Sequence, residues 1–120
     1  MIIHTKSHFD AAHYLKGYKG KCSNLHGHRW EVEMWVEGDR NHLDKCGIMF
    51  DFTELKNICD FFDHKCINEL MKNNPTAENI CLKIVDYLED KYGFLKFRIR
   101  VYESPDSWAE EESGICEVQE

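Results

Sequence analysis

From residue 26 onward, His26, His28, Trp30, Val32, Met34 and Val36 share one parity while Arg29, Glu31, Glu33 and Glu37 share the other, the period-two pattern of a half-buried strand. Gly38-Asp39 ends it. A looser alternation in residues 2–13 sets Ile3, Phe9, Ala11 and His13 against His4, Lys6, His8 and Asp10, and predicts an earlier strand closed by His13. Between them, Tyr14 to Leu25 contains Gly17 and Gly20, three lysines (Lys16, Lys19, Lys21) and no acidic residue. It reads as a flexible basic loop, and it carries Cys22.

The period then changes. Gly47-Ile48-Met49-Phe50-Asp51 leads into a segment with Leu55, Ile58, Cys59 and Phe62 at helical spacing, and Asp63-His64 falls near its end. Asn74-Pro75-Thr76 is a second start signal: Thr76 can cap a helix running to Tyr92 with Ile80, Ile84, Val85 and Leu88 inward and Gly93 as its stop. From Phe94 alternation returns, with Leu95, Phe97, Ile99, Val101 and Glu103 opposite Lys96, Arg98, Arg100 and Tyr102. A carboxylate ending an apolar row belongs at an edge or in a pocket, because an unpaired buried charge is costly. The acidic segment from Trp108 to Glu120 predicts a short last strand around Ile115 to Val118. The order strand-strand-helix-helix-strand-strand argues for an α+β fold, a four-stranded antiparallel sheet with two helices on one face.

Length and composition narrow the picture. With 120 residues, 42% hydrophobic and 31% charged, the chain is expected to form one folded domain over residues 1–120. A net charge of -7 argues against nucleic acid and anionic membranes as partners, yet leaves room for a local basic site for phosphate. No stretch approaches a membrane span, and no repeat is evident. Six cysteines include no Cys-x-x-Cys pair, and Met1 to Lys6 lacks a secretory apolar stretch. A reduced, cytoplasmic protein is the expectation.

Chemistry concentrates in Cys22-Ser23-Asn24-Leu25-His26-Gly27-His28. Histidines two apart on a strand point the same way, so both rings can reach one metal. His13, at the end of the neighbouring strand, would add a third nitrogen and leave a fourth position open, as in catalytic rather than structural zinc sites. Gly27 would let the backbone pass close by. The plainer alternative is two half-buried polar side chains, and His4, His8 and His42, at polar or loop positions, receive no role. Cys59 and Cys81, on apolar helix faces, read as small hydrophobes, whereas Cys22 lies among lysines four residues before a metal-ligand candidate, a setting that suits a thiolate. Asp63-His64 is either a helix-end pair or a proton relay. Glu103 either bonds its neighbours or accepts two hydrogen bonds from a flat amidine-like ring edge.

Taken together, Phe9-Asp10-Ala11-Ala12-His13, Cys22-x-x-x-His26-Gly27-His28, Gly47-Ile48-Met49-Phe50-Asp51-Phe52, Asp63-His64, Asn74-Pro75-Thr76-Ala77-Glu78-Asn79 and Val101-Tyr102-Glu103-Ser104 resemble the 6-pyruvoyl-tetrahydropterin synthase family from Phe9 to about Trp108. The three residues between Cys22 and His26 are most similar to the 6-carboxy-5,6,7,8-tetrahydropterin synthases of queuosine (7-deazapurine) biosynthesis; the pyruvoyl enzymes have a longer spacer. The resemblance implies Zn2+ on His13, His26 and His28, and Cys22 as proton acceptor. It gives Asp63, His64 and Glu103 relay roles, with Glu103 also anchoring a pterin ring. It implies a lyase that converts 7,8-dihydroneopterin triphosphate to 6-carboxytetrahydropterin, acetaldehyde and triphosphate. The alternatives are a 6-pyruvoyl-tetrahydropterin synthase and a non-catalytic zinc or pterin-binding module. It further implies the tunnelling fold, in which three subunits close a twelve-stranded barrel and two trimers form a homohexamer with sites between subunits. Lys16, Lys19 and Lys21 are candidates to hold the triphosphate, Lys21 foremost.

Overall fold

Strand β1 (Ile2–His13) and strand β2 (His26–Glu37) form a long antiparallel pair whose register runs from Ile2 opposite Glu37 to His13 opposite His26. We describe residues 1–114 in a computed structural model. Helices α1 (Thr53–Phe62) and α2 (Ala77–Tyr92) follow, then strands β3 (Lys96–Ser104) and β4 (Ser107–Glu112). The four strands form one antiparallel sheet in the order β1-β2-β3-β4. This is the α+β arrangement that the alternation predicts.

One sheet face is apolar. Phe9 and Ala11 from β1, Trp30 to Val36 at alternate positions of β2, and Phe97, Ile99 and Val101 from β3 are buried against the inward residues of the helices. Helix α1 packs on β1, and α2 packs on β3 and β4. Phe9 stacks on both Trp30 and Phe62, which fixes α1 over the end of the sheet where His13 lies. The other face is charged and laced with cross-strand pairs: Arg29 with Asp10, Lys6 with Glu31, Arg100 with Glu110, and Arg98 over the Trp35 ring.

Helix α2 begins as expected, the Thr76 hydroxyl accepting from the Asn79 amide at 3.0 Å. It ends at Gly93 as expected, in a right-handed conformation (φ -61), and glycine is required there because a Cβ would lie 2.8 Å from the Glu89 carbonyl oxygen. The last strand among the described residues lies ahead of the predicted one. A tight turn at 105–106 returns the chain into β4, whereas the segment Ile115 to Val118 lies outside the described residues. Only Ala109 on β4 is an apolar inward residue, so the strand rests on pairing and on Arg98 and Arg100 meeting Glu110 rather than on a buried row.

Beyond α1 the chain lies against the free edge of β1. His64 N–H donates to the Asp10 carbonyl at 2.7 Å, Ala12 N–H to the Lys65 carbonyl at 3.0 Å, and Ala12 and Cys66 form a parallel bridge. His64 takes φ 56 to make this approach.

Candidate metal centre

The β1–β2 register places Ala11 opposite His28 and His13 opposite His26 on the helix-covered face. Three imidazoles therefore converge at one end of the sheet, with ring centroids 4.6 to 5.2 Å apart. Trp30, two residues further along the same row and fully buried, closes the site from below, edge-on to His13 and His28. Its indole N–H donates to the Ala11 carbonyl at 3.3 Å.

Second contacts orient the rings. Nδ1 of His13 lies 2.7 Å from the Pro75 carbonyl oxygen, and Nδ1 of His26 lies 2.7 Å from that of Asn24. A carbonyl only accepts, so both Nδ1 atoms carry hydrogen, and in the neutral form of each ring Nε2 presents a lone pair. Those Nε2 atoms face each other at 3.1 Å. Nε2 of His28 is buried with no hydrogen-bond partner. Burial holds His13 below the ordinary histidine range, against the opposing pull of the Pro75 carbonyl; burial likewise lowers His28, against the attraction of Glu103. Neutral imidazoles with lone pairs aimed at one point repel unless a cation lies between them, and nitrogen donors with carbonyl-fixed tautomers are what a divalent transition metal requires. The residues fit such an ion.

Glu103 joins the cluster. One carboxylate oxygen lies 3.3 Å from Nε2 of His13 and 3.5 Å from Nε2 of His28. One donor atom from each of His13, His26, His28 and Glu103 falls within 4.8 Å of all the others.

The remaining predicted residues lie outside this group. Cys22 is a half-buried free thiol in the 3-10 turn Lys21–Ser23. Asp63 ends α1, accepts from the Asp10 amide at 2.9 Å and lies 3.4 Å from Nε2 of His64. The His64 side chain is 82% exposed. His64 and His28 line the same shallow depression, about 570 Å³ in volume, with Gly27 and Arg29. A larger groove between α1 and α2 holds none of the predicted site residues. Gly27 does not show the close approach expected of it: a Cβ would meet the Ala11 carbonyl oxygen at 3.6 Å, an ordinary contact.

Lys16, Lys19 and Lys21 are exposed, on a loop with more fixed points than its glycines imply. The Asn68 side chain bonds both the N–H and the carbonyl of Tyr14, Asn74 does the same for Lys16, and Leu15 N–H donates to the Cys22 carbonyl at 2.8 Å. Neither asparagine stands out in the sequence as part of a site, although Asn74 belongs to the helix-start signal.

A family model for 6-pyruvoyl tetrahydropterin synthase matches residues 2–113. The chain belongs to the 6-pyruvoyl tetrahydropterin synthase family. Within this family it is 41% identical over 114 residues to a putative 6-carboxy-5,6,7,8-tetrahydropterin synthase of Archaeoglobus fulgidus, covering 92% of this chain and 94% of that one. It is 31% identical over 130 residues to the 6-carboxy-5,6,7,8-tetrahydropterin synthase of Rickettsia felis, covering 85% and 93%. The fold matches that of the 6-pyruvoyl tetrahydropterin synthase of Caenorhabditis elegans with a TM-score of 0.72 at 21% identity, over 95% of this chain and 96% of that one. Family membership and the converged donors thus rest on separate observations.

Proposed function

We propose that this chain is a zinc-dependent 6-carboxy-5,6,7,8-tetrahydropterin synthase. It converts 7,8-dihydroneopterin triphosphate to 6-carboxytetrahydropterin, acetaldehyde and triphosphate, a carbon-carbon lyase step of queuosine biosynthesis in the cytoplasm. The observation that carries the reading is the convergence of the His13, His26 and His28 Nε2 atoms with two tautomers fixed by backbone carbonyls. The names borne by the relatives at 41% and 31% identity supply the substrate class.

In this reading His13, His26 and His28 hold Zn2+, which as a Lewis acid makes side-chain hydroxyl protons of the substrate easier to lose. Cys22 accepts a proton at the side-chain carbon, and Asp63 and His64 relay it, Asp63 being fixed by the Asp10 amide and orienting His64. Glu103 accepts hydrogen bonds from the pterin ring edge. Lys21, with Lys16 and Lys19, holds the triphosphate from the loop that Asn68 and Asn74 clamp. Three chains close a twelve-stranded barrel and two such trimers make the hexamer. The sheet edges left unpaired among the described residues, β4 and β1 ahead of Asp10, support this together with the charged face and the exposure of His64, because closure removes edges and lets His64 serve the Cys22 of a neighbouring subunit.

Incubating the zinc-loaded protein with 7,8-dihydroneopterin triphosphate and weighing the product tests the reading. The expected product is 6-carboxytetrahydropterin, lost in Cys22→Ala while zinc is retained. A 6-pyruvoyl product would overturn the product and pathway, and binding without turnover would overturn the enzyme. An unchanged KM for the triphosphate in Lys16→Ala/Lys19→Ala/Lys21→Ala would remove the lysines from the site.

A further inference from the structure

Four donor atoms at the corners of a regular tetrahedron, each about 2.0–2.1 Å from a central ion, are separated by about 3.3–3.4 Å. The separations here are 3.1 Å between Nε2 of His13 and of His26, 3.3 Å between Nε2 of His13 and the Glu103 carboxylate, and 3.5 Å between Nε2 of His28 and the same oxygen. The carboxylate oxygen thus stands at tetrahedral spacing from two of the three histidine donors, and within 4.8 Å of the third, His26.

The backbone places it there. On β3, Tyr102 pairs with Trp108 and Ser104 with Ser107, so two consecutive residues of β4 face three of β3. Glu103 is the extra residue of a β-bulge. Such a residue is left unpaired in the β3–β4 ladder. Val101, two residues earlier, faces inward opposite Val32, so strand alternation turns Glu103 to the same face as the histidines. The side chain is also 33% exposed, so it has room to swing outward.

We propose that the Glu103 carboxylate is the fourth metal donor of the substrate-free protein, closing the His13–His26–His28 set, and that an incoming substrate oxygen displaces it. The inference rests on the three-histidine metal site proposed above. It adds a closed resting form in which binding of substrate and release of Glu103 are one event. The carboxylate released is the one assigned to the ring edge, so a single side chain would report ring occupancy to the metal.

Substrate-free full-length protein titrated with Co2+, followed by its visible spectrum and by competition with a chelator, tests this. The expected result is a metal affinity about tenfold or more weaker in Glu103→Ala than in the parent, with a changed spectrum as water replaces the carboxylate. Glu103→Gln, of equal size and uncharged, should show the same direction and keeps the test valid if the alanine variant does not fold. Equal affinity and an identical spectrum in the parent and in the folded variant would overturn the inference. His28→Ala, titrated in parallel, separates the two readings. If it binds Co2+ as the parent does, the three-histidine site itself is wrong; if it loses binding while Glu103→Gln does not change, only the role of Glu103 is wrong.

Discussion

Nδ1 of His13 donates to the carbonyl of Pro75 at 2.7 Å, joining the end of β1 to the residue just before the cap of α2. The helix start thereby becomes part of the metal centre: whatever holds Pro75 in place also holds the tautomer of His13. Thr76 does so by capping α2. Thr76→Ala should destabilise the fold by about 1 kcal/mol and weaken zinc binding by up to about tenfold. Thr76→Ser should restore both. Thermal unfolding and chelator competition on the same preparations check this, and a zinc affinity unmoved by the alanine variant would separate the cap from the site.

The clamps on the basic loop make a second prediction. Asn74 bonds both backbone groups of Lys16 at 2.8 Å and accepts from Asn79 through its own carbonyl. Asn74→Ala removes two hydrogen bonds, a loss of about 1–3 kcal/mol, and frees the loop that carries Cys22. Turnover should fall by about tenfold or more while zinc content stays unchanged. Amide exchange should quicken at Leu15 and Lys16, and a zinc-depleted variant would instead show that the loop supports the metal.

Glu54 ties the two helices together, accepting from the Tyr92 hydroxyl and, at 3.2 Å, from Lys91. Burial works against its charge, but these partners prevail and its carboxyl lies below the usual value of 4.5, while burial and Glu54 raise the Tyr92 hydroxyl above 10.0. A lowered carboxyl stabilises the fold above 4.5 and loses that contribution as pH falls through its folded value. A raised phenol contributes below 10.0 and loses its contribution as pH rises through its folded value. The stability difference between the parent and Glu54→Gln should therefore be widest between about pH 5 and pH 9, at about 1–2 kcal/mol, and shrink toward both ends. Urea unfolding across pH measures it.

These contacts show what the sequence can and cannot reveal. The strands β1, β2 and β3 and both helices are legible because a buried face imposes a period on residue type, and the His26-x-His28 pair is legible because that period aims both rings one way. Strand β4 escapes notice: its inward positions are Ala109 and Glu111, and it is held by pairing to β3. The Pro75 and Asn24 carbonyls are invisible because every residue has one. Glu103 is visible as a carboxylate ending an apolar row, but its arrival at the histidines depends on the β2–β3 register, which no single segment encodes. Cys22 and His64 are recognisable by type, yet neither lies among the four converged donors of one chain.

His64 has φ 56, the left-handed region, where a side chain with a Cβ is strained by about 1 kcal/mol or more. Its backbone is held there by the 2.7 Å bond to the Asp10 carbonyl, and its exposed ring makes little contact that would repay the strain. Glycine relieves the strain but carries its own entropic cost of about 0.5–1 kcal/mol, so His64→Gly should leave stability unchanged or raise it by up to about 1 kcal/mol. His64→Ala keeps the strain and loses the ring, and should be no more stable than the parent. Both should lower turnover by about a hundredfold or more if the imidazole relays a proton. Comparing the two variants thus divides backbone cost from chemical use. A variant that gains stability and keeps full turnover would show that the histidine is there for neither, and would leave Asp63 without a relay partner.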